Sequence, residues 1–307
     1  MAVAQDTSEF RYLPVQAGRF NTAVPPARRI AMRLPDGRSV SALRFGEDAP
    51  EVTLLHGAGL NAHTWDSVAL LLGRPALVID LPGHGDSSWR EDLDYSPAAL
   101  AADVAVAVEQ WTQTPQVLIG HSLGGLTSAV IAAQHPQLVA ELILVDIVPG
   151  LDTDAAPAVL RDFYQVTDFG SREEAADRAE RFGFGGARED TERGVFFNTR
   201  VREDGRVEWK HHFAQIIGHA FDALNAANRA SRAADLWADL VAVRAPVTLV
   251  RGSHGFLQDA DVAEFSRRMP TAAVLTVDAG HNVQETDPAR LASLASEALN
   301  RTSRLPR

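Results

Sequence analysis

The sequence predicts an α/β protein, a mostly parallel central sheet flanked by helices on both faces. Three observations carry that prediction. Short apolar runs of strand length, Glu51–Leu55, Ala76–Ile79, Val117–Ile119 and Leu142–Val145, alternate with helical stretches such as Pro97–Trp111. Strands separated by helices pair in parallel through right-handed crossovers, and such sheets are covered on both sides. Two of the runs end in glycine-rich loops, His56-Gly57-Ala58-Gly59 and Asp80-Leu81-Pro82-Gly83-His84-Gly85-Asp86-Ser87, and open α/β folds place their sites at the carboxyl ends of strands.

Taken in order, residues 1–29 mix polar residues with Pro14, Pro25 and Pro26 and show no clear period, which predicts an arm lying on the domain with no part in function. Ile30–Leu34 and Ser39–Phe45 flank Pro35-Asp36-Gly37, where Asp-Gly favours a tight turn, so the core opens with an antiparallel pair. The alternation of strand and helix runs from residue 51 and breaks after Pro149-Gly150. Residues 151–236 are rich in charge and alanine with scattered aromatics, among them Phe163, Tyr164, Trp209 and Phe221, and read as inserted helices rather than strands. The rhythm resumes with strand Val247–Val250, helix Asp261–Arg268, strand Ala273–Val277 and helix Pro288–Leu299. The expected organisation is therefore an arm at 1–29, a core from 30–150 and 237–307, and a helical insertion at 151–236.

With 307 residues the chain can bury a substantial core without staples. It has no cysteine, which excludes disulfides, thiolate metal sites and thiol catalysis. The first residues lack a basic segment followed by an apolar core, and no run of about 18 apolar residues occurs, so a soluble cytoplasmic protein is expected. A net charge of −11 disfavours nucleic acid or an anionic membrane as partner. A small-molecule substrate is the expected partner, and the oligomeric state stays open between monomer and homodimer.

The strand at Val117–Ile119 runs into Gly120-His121-Ser122-Leu123-Gly124 and then the helix-forming run Leu126–Ala133. This G-x-S-x-G pattern between strand and helix is that of a nucleophile elbow, whose glycines let the chain turn tightly so that the serine hydroxyl stands clear of the sheet. Ser122 is the candidate nucleophile. A serine needs a base to take its proton and an acid to orient that base. His281, in Asp278-Ala279-Gly280-His281 directly after the last strand, has the right place and the right order, nucleophile first and histidine last. The oxyanion donors should be backbone N–H groups, one from the residue after the nucleophile and one from the loop after an earlier strand, which nominates Leu123 and Ala58 with Gly59 as the alternative.

Other features carry less. His211, His212 and His219 lack the carboxylate pattern of a metal site, and 211 and 212 would point to different sides of a helix; no metal is expected. Gly57-Ala58-Gly59 lacks the spacing and the lysine of a phosphate loop, so no nucleotide cofactor is implied. Asp80 reads as turn chemistry, its side chain bonding nearby amides. His121 is too close to Ser122 in sequence to be its base and is expected to support the elbow.

Through His56-Gly57, Asp80-x-Pro82-Gly83-His84-Gly85-x-Ser87, Gly120-x-Ser122-x-Gly124 and Gly280-His281, the chain resembles the α/β-hydrolase superfamily over about residues 30–300. The resemblance implies the α/β-hydrolase fold, a helical cap inserted after the sixth strand, which would be 151–236, and a Ser–acid–His triad. Many members carry the acid after the strand that follows the cap, but Arg251-Gly252-Ser253-His254-Gly255 has a glycine at that place. Members with esterase or lactonase activity carry it at the end of the strand before the cap, where this chain has Asp146, 24 residues after Ser122. Asp146 is the expected acid. Asp259 and Asp261, at the start of a helix, are better explained as caps. His56, Gly57, Gly59, Trp65 and His121 are expected around the substrate, with the cap aromatics and Trp65 lining a mostly apolar pocket. The expected function is cofactor-independent hydrolysis of an ester or lactone through an acyl-enzyme. Carbon–carbon hydrolysis of a diketone-like substrate uses the same residues, and a hydrolase-like receptor for an apolar ligand would share the fold.

Overall fold

The computed structural model describes residues 9–151, 159, 162–216 and 226–302; His219 and Phe221 lie outside them. Eleven strands are present among the described residues: β1 (Ala27–Arg33), β2 (Ser39–Phe45), β3 (Val52–Leu55), β4 (Ala76–Asp80), β5 (Gln116–His121), β6 (Val139–Val145), β7 (Asp168–Phe169), β8 (Thr199–Val201), β9 (Val207–Trp209), β10 (Val247–Gly252) and β11 (Ala273–Val277). Eight of them form one sheet in the order β1-β2-β4-β3-β5-β6-β10-β11. β1–β2 and β2–β4 pair antiparallel and every later pair is parallel. The antiparallel opening follows from Asp36-Gly37, where Gly37 takes φ +88°. β3, β4 and β5 are buried along their whole length, as strands covered on both faces must be.

Helices α1 (Leu13–Arg19), α2 (Asp66–Leu72) and α9 (Pro288–Thr302) pack on one face, where Leu13, Val68, Leu291 and Ala295 meet Leu54, Val78, Ile119 and Val145. Helices α3 (Pro97–Trp111), α4 (Leu123–Gln134), α7 (Ala226–Ala242) and α8 (Asp259–Arg268) cover the other, with Leu100, Val130, Leu240 and Phe265 against Leu55, Leu77, Leu118 and Leu249. Ser96 caps α3 by accepting the N–H of Ala99 at 3.3 Å, and Pro97 stands at its first position, the favoured start for a helix. α8 begins with a capping box in which Asp261 accepts the N–H of Gln258 at 2.8 Å.

Two expectations are corrected here. The segment after Pro149-Gly150 is not wholly helical: β7, β9 and β8 form a separate three-stranded antiparallel sheet beside α5 (Arg172–Arg181) and α6 (Arg188–Asn198). Its hairpin turns at Asp204-Gly205, where Gly205 has φ +80°, and the two flanking strands are too short for their alternation to stand out among the charges. Phe163, Tyr164, Phe169, Val207 and Trp209 give this segment an apolar cluster of its own. The N-terminal arm, expected to be without function, supplies α1, whose Gln16 and Arg19, followed by Phe20, line the cavity described below. Arg19 also reaches Glu189 at 2.9 Å and Asp190 at 2.8 Å on α6. Exposed pairs of this kind contribute under about 1 kcal/mol each, so they align the arm rather than hold the fold.

Among the described residues no helix is long and apolar enough to cross a membrane.

Candidate active site

Ser122 sits between β5 and α4 with φ 51° and ψ −120°, a region that costs a non-glycine residue about 1–3 kcal/mol. The surrounding backbone fixes it there. Its N–H donates to Val145 O at 3.2 Å, and its carbonyl accepts Gly125 N–H at 2.8 Å and Leu126 N–H at 3.1 Å. The turn also needs its glycines. A Cβ on Gly120 would lie 2.3 Å from Gly124 O, and one on Gly124 would lie 2.5 Å from both Leu55 O and His56 O. The elbow therefore folds against the end of β3, which brings the Gly57–Gly59 loop beside the serine.

Asp146 directly follows β6, also at positive φ, 49°, and is fully buried. Its carboxylate accepts three hydrogen bonds: Gly252 N–H to Oδ1 at 3.0 Å, Phe256 N–H to Oδ2 at 2.7 Å and His281 Nδ1–H to Oδ2 at 2.8 Å. With its proton on Nδ1, the His281 ring keeps Nε2 as a lone pair. Phe256 stacks on one side of that ring at 3.8 Å and 15°, and His121 lies 4.5 Å away at 54°. A Cβ on Gly255 would fall 2.3 Å from Asp146 Oδ2. The space that a side chain at 255 would use is filled by the Asp146 carboxylate. Asp259 instead pairs with Arg251 at 2.6 Å in the open.

Ser122, His121, His281, Ala58 and Gly59 share a cavity of about 770 Å³ whose wall also includes Gln16, Asn61, Tyr164, Phe184, Arg193, Trp209, His211 and Phe256. Leu123 opens α4, where the first N–H groups have no intrahelical acceptor. Three pocket expectations are corrected. Trp65 is fully buried in the apolar layer shared by α1 and α2, because the short helical turn Ala62–Trp65 points it into the core rather than toward the cavity. His56 is likewise buried; its Nδ1 donates to Gly57 O at 2.8 Å and its Nε2 accepts Leu81 N–H at 3.0 Å, so it ties two loops together. Gly57 lies behind Ala58, packed on His121. Asp80 does bond nearby amides, Ala62 N–H at 2.7 Å and Asp86 N–H at 3.1 Å, and it also takes Arg29 at 2.5 Å. Burial pushes its carboxyl up, but Arg29 and the amides of Ala62 and Asp86 act together against it, and the carboxyl stays below the usual carboxylate range.

Sequence reasoning missed the arm's contribution, Asn61 and His211, and named Tyr164 only as one of the cap aromatics. Pro14 with Leu13, Ala17 and Phe20 at helical spacing was the available signal for α1. Asn61 caps the 62–65 turn by accepting His63 N–H at 2.9 Å, and donates to Asn198 on α6 at 2.7 Å. His211 and His212 occupy a turn rather than a helix: His211 faces the cavity, while His212 stacks on Trp89 at 4.3 Å and meets Tyr95 Oη at 2.8 Å. No cluster of metal-ligating side chains occurs among the described residues.

Four buried histidines beneath and beside the cavity stay neutral. Burial lowers His56, with Asp80 opposing only in part; it lowers His84 and His121 well below the usual value and pushes His211 down to about 3. Both folded and unfolded chains hold these rings neutral above about pH 6.5. Below that value the unfolded chain takes up protons that the native one refuses, so stability falls with falling pH. His84, His121 and His211, the rings lowered furthest, each remove about 1 kcal/mol by pH 5.5. His63 opposes the trend: burial lowers it, but Asp66 and Glu9 together hold it above the usual value. Urea unfolding followed at pH 7.5, 6.5 and 5.5 should show the midpoint dropping across the last interval; a midpoint that holds or rises would contradict the neutral cluster.

Residues 50–288 match the sequence model of the family described as alpha/beta hydrolase fold. The chain is 36% identical over 294 residues to the esterase Rv0045c of Mycobacterium tuberculosis, covering 93% of this chain and 92% of that protein. A solved structure of that esterase superposes with a TM-score of 0.81 at 34% identity, covering 97% of this chain and all of the other. A pimeloyl-[acyl-carrier protein] methyl ester esterase of Aeromonas salmonicida is 37% identical over 139 residues, 42% of this chain and 51% of that protein.

Proposed function

The chain belongs to the α/β-hydrolase fold family, and from that premise we propose that it is a cofactor-independent carboxylic-ester hydrolase working through Ser122, His281 and Asp146. The observation that carries this is the 2.8 Å bond from His281 Nδ1 to buried Asp146, in the same cavity as a serine held on a strained turn. The similarity to an esterase over nearly the whole chain supports the ester as substrate.

In this reaction His281 Nε2 takes the proton of Ser122 Oγ as the oxygen attacks the ester carbonyl. The carbonyl becomes a tetrahedral oxyanion, held by the amides of Leu123 and of Ala58 or Gly59. His281 then gives its proton to the departing alcohol and leaves an acyl-enzyme. Water, deprotonated by His281, releases the acid and restores the serine. Asp146 balances the imidazolium that forms in both halves. Each amide donor supplies roughly 3–4 kcal/mol of transition-state stabilisation in comparable sites. A lactone would open by the same steps, its alcohol remaining on the acyl chain. The cavity of about 770 Å³ is of the size that holds small-molecule ligands, and its aromatic wall suits an apolar one.

Two measurements check this. Intact and peptide mass spectrometry after treatment with a fluorophosphonate should show one adduct, on Ser122, with loss of p-nitrophenyl butyrate turnover; an unlabelled serine, or label elsewhere with activity gone, sinks the proposal. Gly255→Ala should lower kcat by about 10²-fold, the loss typical of a shift of about 1 Å in a catalytic group, because the new Cβ displaces the Asp146 carboxylate. Circular dichroism should show the fold retained; wild-type kcat would contradict the placement of the acid.

A further inference from the structure

Two donors in the cavity wall are not used by the reaction proposed above. His211 is 1% exposed, and its Nδ1 accepts the N–H of Ala214 at 3.2 Å. That bond places the ring proton on Nε2, which is buried without a hydrogen-bond partner. Burial keeps the ring neutral, so it offers an N–H and no charge. Tyr164 sets its ring edge against His211 at 5.0 Å and 82°. Its Oη lies 2.9 Å from the place a Cβ on Gly59 would take, so the phenol overhangs the loop that carries the Ala58 and Gly59 amides. No hydrogen bond to Tyr164 Oη occurs among the described residues, and burial alone raises its pKa, keeping it protonated. The neighbouring wall is apolar, with Trp209 5.7 Å from Tyr164 and Phe163 4.7 Å from it.

Buried donors in folded proteins nearly always have acceptors. His211 Nε2 is such a donor without an acceptor, and beside it, within an apolar wall and next to the expected oxyanion site, the Tyr164 hydroxyl has no partner among the described residues; together they fit a ligand that brings an acceptor. We propose that Tyr164 and His211 form a second polar subsite that binds an oxygen of the substrate a few bonds from the scissile carbonyl. Esters bearing a further keto or ether oxygen are then preferred over plain alkyl alkanoates. This rests on the ester-hydrolase reading and gives it a substrate class. Neither residue takes part in bond making; they position.

The test compares kcat/KM for two matched pairs: ethyl 4-oxopentanoate against ethyl pentanoate, and 2-methoxyethyl butyrate against butyl butyrate. The first pair places the extra oxygen in the acyl half and the second in the alcohol half. In the wild type, at least one pair should favour the oxygenated member. In Tyr164→Phe, which keeps the ring, and in His211→Phe, that ratio should fall about threefold to tenfold, the usual worth of a neutral hydrogen bond. His211→Gln, which restores an N–H, should recover part of it. Ratios that stay at the wild-type value in all three variants, or a wild type with no preference in either pair, overturn the subsite. If the wild type hydrolyses none of the four esters, the hydrolase reading fails by itself. The subsite is then judged by titrating the esters into the Ser122→Ala protein and following tryptophan fluorescence, with Trp209 5.8 Å from His211 as the near reporter. Tighter binding of an oxygenated ester that is lost on adding Tyr164→Phe supports it, and equal binding overturns it.

Discussion

The Ser122→Ala protein is expected to hydrolyse p-nitrophenyl butyrate about 10⁶-fold more slowly than the wild type, close to the loss seen when a triad nucleophile is removed elsewhere. The change takes away one oxygen that makes no hydrogen bond among the described residues. The backbone bonds that hold the turn, to Val145 and from Gly125 and Leu126, remain. Thermal unfolding should therefore move by little, because the strain at φ 51° is the same for Ala and no buried partner is left unpaired. A large kinetic loss with an unchanged melt separates loss of the attacking atom from loss of structure. Stopped-flow measurement would add a second criterion: the wild type should release a burst of p-nitrophenol if acyl-enzyme accumulates, and the variant none. Residual turnover within tenfold of wild type would show that another group attacks the carbonyl.

The elbow and its histidine were legible because strand, turn and helix are consecutive in sequence. Val117–Ile119, Gly120-x-Ser122-x-Gly124 and Leu126–Ala133 each carry a local signal, and the contacts that demand Gly124 involve backbone at the end of β3. The parallel sheet was legible for the same reason. The arm and the small sheet were not, since their role depends on where they dock. α1 gains its place through Gln16, which donates to Ser67 at 3.1 Å, and through Arg19 on α6, both distant in sequence. Trp65 and His56 are expected around the substrate, but side-chain direction decides such cases. A four-residue helical turn sends Trp65 inward, and His56 spends both ring nitrogens on the loops at Gly57 and Leu81. Tyr164 and His211 could not be distinguished from the other aromatics of 151–236, because their donors matter only through the bonds they lack.

Asp146→Asn should lower kcat by about 10⁴-fold, the scale of the same change in other serine triads, and the three donors around Asp146 explain why the amide cannot substitute. Gly252 N–H reaches Oδ1, while Phe256 N–H and His281 Nδ1–H reach Oδ2. If the amide oxygen replaces Oδ2, its NH₂ faces Gly252 N–H, donor against donor. If the NH₂ replaces Oδ2, it faces Phe256 N–H and forces the His281 proton onto Nε2, which then cannot accept from Ser122. Either orientation leaves a buried donor unpaired, at about 1–3 kcal/mol of stability, so the variant should melt lower as well as turn over slowly. The rivals give the contrast. Asp259 is 94% exposed and, among the described residues, bonds only to Arg251, so Asp259→Asn should keep wild-type kcat; Asp261→Asn should weaken the α8 cap by up to about 1 kcal/mol and likewise keep kcat. Near-wild-type turnover by Asp146→Asn, or a large loss at 259 or 261, would move the acid. The geometry also makes positions 146 and 255 alternatives, since a Cβ at 255 and the Asp146 carboxylate contend for one space. Asp146→Gly combined with Gly255→Asp should accordingly be more active than Asp146→Gly alone, because a carboxylate entering from β10 can meet the same His281 Nδ1–H.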